Sequence, residues 1–78
     1  MAPLLKITNK QEMSKLSVRE IQVVNLIVQE FNNGDIALAL KISKRTVETH
    51  RKNIFKKTQV KSIIGLVVLA IKHKLVQL

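Results

Sequence analysis

A small polar residue able to cap a helix stands before each of four segments of this chain: Ser17, Asn32 or Asn33, Ser43 and Ser62. Such residues satisfy the orphan N–H groups of a first helical turn. Each is followed by apolar side chains at helical spacing, and no segment alternates as a strand would. The intervals between the segments are short. The chain is therefore expected to be all-α, a compact four-helix bundle.

The first segment has the clearest start. Ser17 and Glu20 have the spacing of a capping box, in which the serine oxygen accepts a backbone N–H and the glutamate reaches back to the cap. Leu16 can staple onto the first turn. Ile21, Val24, Ile27, Val28 and Phe31 then recur at helical spacing, predicting a helix over about 17–30 that ends at Asn32, Asn33 and Gly34. A short second helix is expected from Asp35 to Leu40, with Ile36, Leu38, Ala39 and Leu40 as its apolar side and Lys41 and Ile42 as the turn. The third runs over about 44–58 and is broken by Gln59, Val60 and Lys61; the fourth covers about 63–76. Residues 1–15 carry Pro3 and no sustained period, and read as a flexible lead-in or interdomain linker, leaving 16–78 as the folded domain.

Size and composition narrow the function. With 78 residues there is room for one small domain with a thin core. There is no cysteine, and His50 and His73 are too few and too far apart for a usual zinc site, so no metal or other cofactor is expected. No nucleophile–base pair or phosphate loop is visible, which argues against an enzyme. Phe31 and Phe55 are the only aromatic residues, too few for a platform that stacks single-stranded bases. The longest apolar stretch, Ile63 to Ile71, is nine residues against the roughly 20 that span a bilayer. The beginning of the chain has no signal-peptide pattern, so a soluble cytoplasmic protein is expected.

The formal charge is +9, and it is concentrated. Between Lys41 and Lys61 stand eight basic residues and one acid, Glu48, a net +7 in 21 residues. Such a density calls for a polyanionic partner. Advancing about 100° per residue from Lys44 puts Val47, Ile54, Thr58 and Phe55 on one side of the third helix. Opposite them lie Arg45, Thr46, Thr49, Lys52, Asn53, Lys56 and Lys57, every one polar; Glu48 sits at the margin. That face has the side chains a major groove needs: Arg and Lys for guanine, Asn for adenine, Thr for a thymine methyl, Glu for cytosine N4. Lys56 and Lys57, further along, would reach phosphate. Ser43 and Thr46 sit where free N–H groups and the helix dipole favour an anion. A short helix, a tight turn and a capped basic helix make a helix-turn-helix, so the four-helix bundle is expected to read double-stranded DNA. A peripheral membrane helix would need large apolar residues opposite the cations, but here those build the core. A protein-interaction module, such as a sigma-factor region with a similar helix-turn-helix, is the other alternative.

Leu16, Ser17, Arg19 and Glu20, then Asp35, Ile36 and Ala37, then Ile42, Ser43, Thr46, Val47 and His50, then Asn53, Ile54, Lys57 and Val60 occur in an order and at a spacing that resembles the LuxR/GerE-type helix-turn-helix. This is the C-terminal DNA-binding domain of NarL/FixJ-type response regulators and of quorum-sensing regulators. The resemblance spans about residues 16–76. It implies base contacts from Glu48, Thr49 and Lys52, and phosphate contacts from Ser43, Thr46, Lys56 and Lys57; Arg45 joins the base contacts from the angular count. It also implies a homodimer through the fourth helix. That helix is apolar all round, more than its own core requires, and Ile64, Val68 and Ile71 are the candidate interface; the alternative is that the surplus packs on residues 1–15. The chain departs from the family's frequent Gly, Leu, Gly and Arg at Glu30, Thr58, Gln59 and Ile63. Without that arginine, Glu20 is expected to serve the capping box alone. His50 flanks the core side and is expected to pack, and His73 to lie on the surface near the end of the fourth helix. A fragment of a longer response regulator fits these features better than a stand-alone regulator.

Overall fold

The computed structural model describes residues 15–73, which form four helices and, among those residues, no strand. They are α1 (Val18–Val28), α2 (Asn33–Leu40), α3 (Lys44–Thr58) and α4 (Ile63–Lys72). Of the expected linker over residues 1–15, all but Lys15, and the expected last turn of α4 towards residue 76, lie outside the described residues.

Each helix starts on the cap its sequence supplies. Ser17 Oγ accepts from the Glu20 N–H (3.1 Å) while the Ser17 N–H donates to Glu20 Oε1 (2.9 Å), closing the capping box. Asn32 is the cap of α2: its Oδ1 accepts from the Asp35 N–H at 2.8 Å. Ser43 and Ser62 accept from the N–H groups of Thr46 (3.0 Å) and Gly65 (3.1 Å).

The ends differ more from expectation. Helix α1 stops at Val28, before the Asn32–Gly34 run that was expected to end it, because Glu30 turns left-handed at φ 69°. The Glu30 N–H then reaches the Ile27 carbonyl (2.9 Å) and the Phe31 N–H the Leu26 carbonyl (3.0 Å), the double bond of a Schellman motif. Asn33 and Gly34 thus belong to the first turn of α2. Lys41 (φ 59°) ends α2 and Gln59 (φ 61°) ends α3 in the same left-handed region. At Glu30 and Gln59 the family often has glycine, the residue without a Cβ penalty in this conformation.

Helix α1 packs against the other three, and α2 packs on α3. The core joins Leu16, Val23, Val24 and Ile27 to Ile36 and Ala37, Val47 and Ile54, and Leu66, Leu69 and Ala70. Thr58, where the family often has leucine, is also fully buried; its hydroxyl donates to the Ile54 carbonyl at 2.8 Å and so costs no orphaned polar group. The buried side of α2 is narrower than expected. Ile36 and Ala37 face the core and Leu40 is half-buried, but Ala39 is exposed and Leu38 is 80% exposed. A helix of eight residues has few positions to offer its neighbours, and here the buried ones are those of Ile36 and Ala37.

Helix α2 yields a direct contrast. Ile36→Ala should destabilise the domain by about 2–5 kcal/mol through the cavity it leaves, whereas Leu38→Ala should stay within about 0.5 kcal/mol of the parent. Urea unfolding followed by circular dichroism measures both; equal losses would mean that Leu38 packs.

Candidate nucleic-acid interface

The polar face of α3 exists because the opposite face is fixed. Val47, Ile54 and Thr58 are fully buried and Phe55 is half-buried. That anchoring leaves Arg45, Thr46, Glu48, Thr49, Lys52, Asn53 and Lys56 exposed, together with the cap Ser43. Six of the eight residues expected to touch bases or phosphates thus lie on α3 and exposed: Arg45, Glu48, Thr49, Lys52, Thr46 and Lys56. Ser43 is exposed at its cap, and Lys57 is set apart.

The small hydroxyls are organised before any ligand arrives. Ser43 Oγ and Thr46 Oγ1 lie 2.9 Å apart, and Ser43 Oγ also receives the Thr46 N–H. Thr49 Oγ1 donates to the Arg45 carbonyl at 3.1 Å. With its hydroxyl tied back to the helix, Thr49 has its methyl group to offer, the part that suits a thymine methyl.

Lys57 has a different setting from its neighbours. It is half-buried, and its Nζ lies 2.8 Å from Glu20 Oε1, with the glutamate side chain only 6% exposed. Its ammonium is held towards α1, which does not favour the phosphate contact expected of it. Glu20 correspondingly does more than complete a capping box: it accepts from both the Ser17 N–H and Lys57. The partner expected to be missing at Ile63 is replaced by a lysine from the end of α3. Burial raises the Glu20 pKa, but the hydrogen bond and charge of Lys57, with the bonds from Ser17, outweigh it and hold the carboxyl below its ordinary value. Nothing in the angular count could place Lys57 against Glu20, because the pair is made between helices.

Two further residues, Lys15 and Gln59, join the α3 face in space. They line an open cleft of about 500 Å³ together with Asn53, Lys56 and Lys57. Lys15 comes from just before α1 and carried no periodic signal that would have marked it. On the other side, half-buried Arg51 points away from this cluster, lining a cleft with Ile27, Phe31 and Ile63. His50 is half-buried, at the edge of the core. Along α4, Ile64, Val68 and Ile71 are 76%, 58% and 39% exposed, while Leu66, Leu69 and Ala70 face the core. Among the described residues no helix is long and apolar enough to cross a membrane.

A short capped helix packed across a longer one with an exposed basic face defines a helix-turn-helix domain of the DNA-binding class. The chain matches the family described as bacterial regulatory proteins, luxR family, over residues 14–70, and it belongs to that family. It is 47% identical over 58 residues to the response regulator protein TmoT of Ectopseudomonas mendocina, a match covering 74% of this chain and 26% of that one. It is 42% identical over 62 residues to the oxygen regulatory protein NreC of Staphylococcus epidermidis, covering 80% and 28%. The uncharacterized response regulatory protein YgeK of Escherichia coli K12 is 42% identical over 59 residues, covering 76% and 40%. The matched region is thus well under half the length of each of these relatives. No solved structure matches.

The Glu20–Lys57 pair carries a pH prediction. A carboxyl whose folded pKa lies below its unfolded value adds stability that is present above the unfolded value, near 4.5, and is lost as pH falls through the folded one. The parent should therefore lose stability on acidification below about 4.5 more steeply than Glu20→Gln. At pH 7, Lys57→Gln should cost on the order of 1–3 kcal/mol by leaving a buried carboxylate without its cation. Thermal unfolding of both variants and the parent across pH 3–7 measures this; identical pH slopes would remove the pair from the stability balance.

Proposed function

We propose that this chain is the DNA-reading output domain of a two-component response regulator, with α3 lying in the major groove of its operator. The observation that carries the reading is the division of α3 into a fully buried apolar side and an exposed polar side that holds Arg45, Glu48, Thr49 and Lys52. In this reading those four contact base edges: the cations donate to guanine, Glu48 accepts from cytosine N4, and Thr49 presents its methyl to thymine. Ser43, Thr46 and Lys56 hold phosphates and fix the register, as contacts without sequence information do. Lys57 is better supported as a brace on Glu20 than as a phosphate contact. The relatives named as response regulators support the two-component assignment, and the cytoplasm is where such a regulator meets its operator.

The exposed Ile64, Val68 and Ile71 recur at helical spacing along α4 and form one apolar strip. We infer that two copies meet on this strip when bound, reading two half-sites related by a two-fold axis.

Three variants test this reading. Lys52→Ala should weaken binding and relax preference at one base position, by about 1–3 kcal/mol. Lys56→Ala should weaken binding evenly on all duplexes and reduce the salt slope by about 1. Selection of bound sequences from random duplex DNA, followed by titration at several salt concentrations, distinguishes them. If both variants bound the selected operator as the parent does, α3 would not lie in the groove. Val68→Glu should abolish two-copy complexes in sedimentation on a two-half-site duplex while leaving single half-site binding intact.

A further inference from the structure

We propose that α3 reads the C5-methyl group of a pyrimidine through Thr49, and that 5-methylcytosine paired with guanine is the base pair that Glu48, Thr49 and Lys52 fit best together. A C5-methylated operator is then bound more tightly than the unmethylated one. This rests on the reading of α3 as the groove helix and names the part of the base that the helix recognises.

Thr49 is exposed near the middle of the polar face of α3. Its Oγ1 donates to the Arg45 carbonyl one turn back, at 3.1 Å. A threonine in a helix divides between two χ1 rotamers. This bond selects one, so the methyl group is held in a fixed direction before DNA arrives. The bond also uses the hydroxyl proton. The oxygen keeps its lone pairs, so it can accept from a base but has no proton left to donate to one. Glu48, just before it in the chain and also exposed, is an acceptor only. Lys52 follows Thr49 by three residues and Glu48 by four, spacings that place it beside each of them on the helix surface. It is a donor only. Among the described residues Glu48 and Lys52 make no ion pair with each other, which leaves both to the bases.

The three side chains therefore present a methyl, acceptors and a cationic donor on one small area. The major-groove edges of the base pairs meet that set differently. Thymine brings a methyl, but its O4 is an acceptor and finds no donor in Glu48 or in the tied Thr49 hydroxyl. Cytosine brings the N4 donor that Glu48 accepts, and its guanine offers O6 and N7 to Lys52, but C5 carries no methyl. 5-Methylcytosine keeps the N4 donor and the guanine partner and places a methyl where thymine has one. That methyl packs on the methyl of Thr49. Removing one methyl group from water is worth about a fourfold gain in affinity.

The probes are duplexes built on the best site selected from random DNA. At each base pair of that site four versions are compared: T·A, U·A, C·G and 5-methyl-C·G. Each is titrated with the parent, with Thr49→Ser, which keeps the hydroxyl and loses the methyl, and with Thr49→Val, which does the reverse. Thermal unfolding confirms that all are folded. At one base pair of the site, the parent should bind 5-methyl-C·G about fourfold more tightly than C·G, and T·A about fourfold more tightly than U·A, with 5-methyl-C·G the tightest of the four. Both differences should persist in Thr49→Val and vanish in Thr49→Ser. Selective binding with no methyl response at any base pair would overturn the inference and leave the DNA reading standing. A response that persisted in Thr49→Ser, or vanished in Thr49→Val, would also overturn it, because the Thr49 methyl would not be the reader. T·A bound more tightly than 5-methyl-C·G at the responsive pair would overturn the choice of base. A parent that bound no duplex would overturn the DNA reading and the inference together.

Discussion

One buried carboxylate ties together the parts of this domain that have to stay in register. Glu20 sits at the start of α1, closes the cap on Ser17 and accepts the ammonium of Lys57 from the last turns of α3. A carboxylate withdrawn from water is costly unless it is hydrogen-bonded and paired, and here both conditions are met by residues from two elements. The pair therefore fixes the lengthwise position of α3 on α1, which apolar contacts alone specify loosely. Val47, Ile54 and Thr58 decide which side of α3 faces inward; Glu20 and Lys57 help decide how far along its neighbour it sits. The angle and height of the exposed face of α3 follow from both.

The same arrangement sorts the cations of α3 by use. Lys57 is paired internally, Arg51 lines a separate cleft with Ile27, Glu30, Phe31, Asn32, Asn33 and Ile63, and Arg45, Lys52 and Lys56 remain outward. A net charge of +9 describes the attraction of such a domain to a polyanion. It does not describe how many phosphates the domain engages, because a lysine already paired with a buried acid releases no counterion on binding. The count that matters for affinity is smaller than the formal one.

Much of this was legible in the chain because it is local. Capping residues, helical spacing and the two-sidedness of α3 involve residues within one or two turns, and the four helices appear with their starts where Ser17, Ser43 and Ser62 put them. The ends were harder. Glu30, Lys41 and Gln59 adopt a left-handed conformation without being glycine, and side chains that do not advertise that geometry hide the stop; the end of α1 was consequently placed at Asn32, Asn33 and Gly34, although Asn32 was also among the residues read as the cap of α2, which it is. The narrow buried side of α2 was hidden for another reason. Ile36, Leu38, Ala39 and Leu40 are all apolar, and only the packing of α2 on its neighbours decides that Leu38 stays in water. The Lys57–Glu20 pair and the place of Lys15 in the cleft depend on elements 37 residues apart or on a residue outside any period, and no local pattern encodes them. Family resemblance supplied the expectation of a dimer strip on α4, where Ile64, Val68 and Ile71 are exposed.

The left-handed residues at three of the helix ends carry a thermal consequence. A side chain in that region costs roughly 1–2 kcal/mol relative to the right-handed one, and a domain of this size has only about 5–15 kcal/mol of total stability. Near its midpoint, each kcal/mol moves the melting temperature of a domain this small by about 4–8 °C. Glu30, Lys41 and Gln59 thus lower the temperature up to which the domain stays folded, and with it the range over which α3 keeps its exposed face in place. The loops that join the helices set a ceiling on the working temperature of the reading head without touching it.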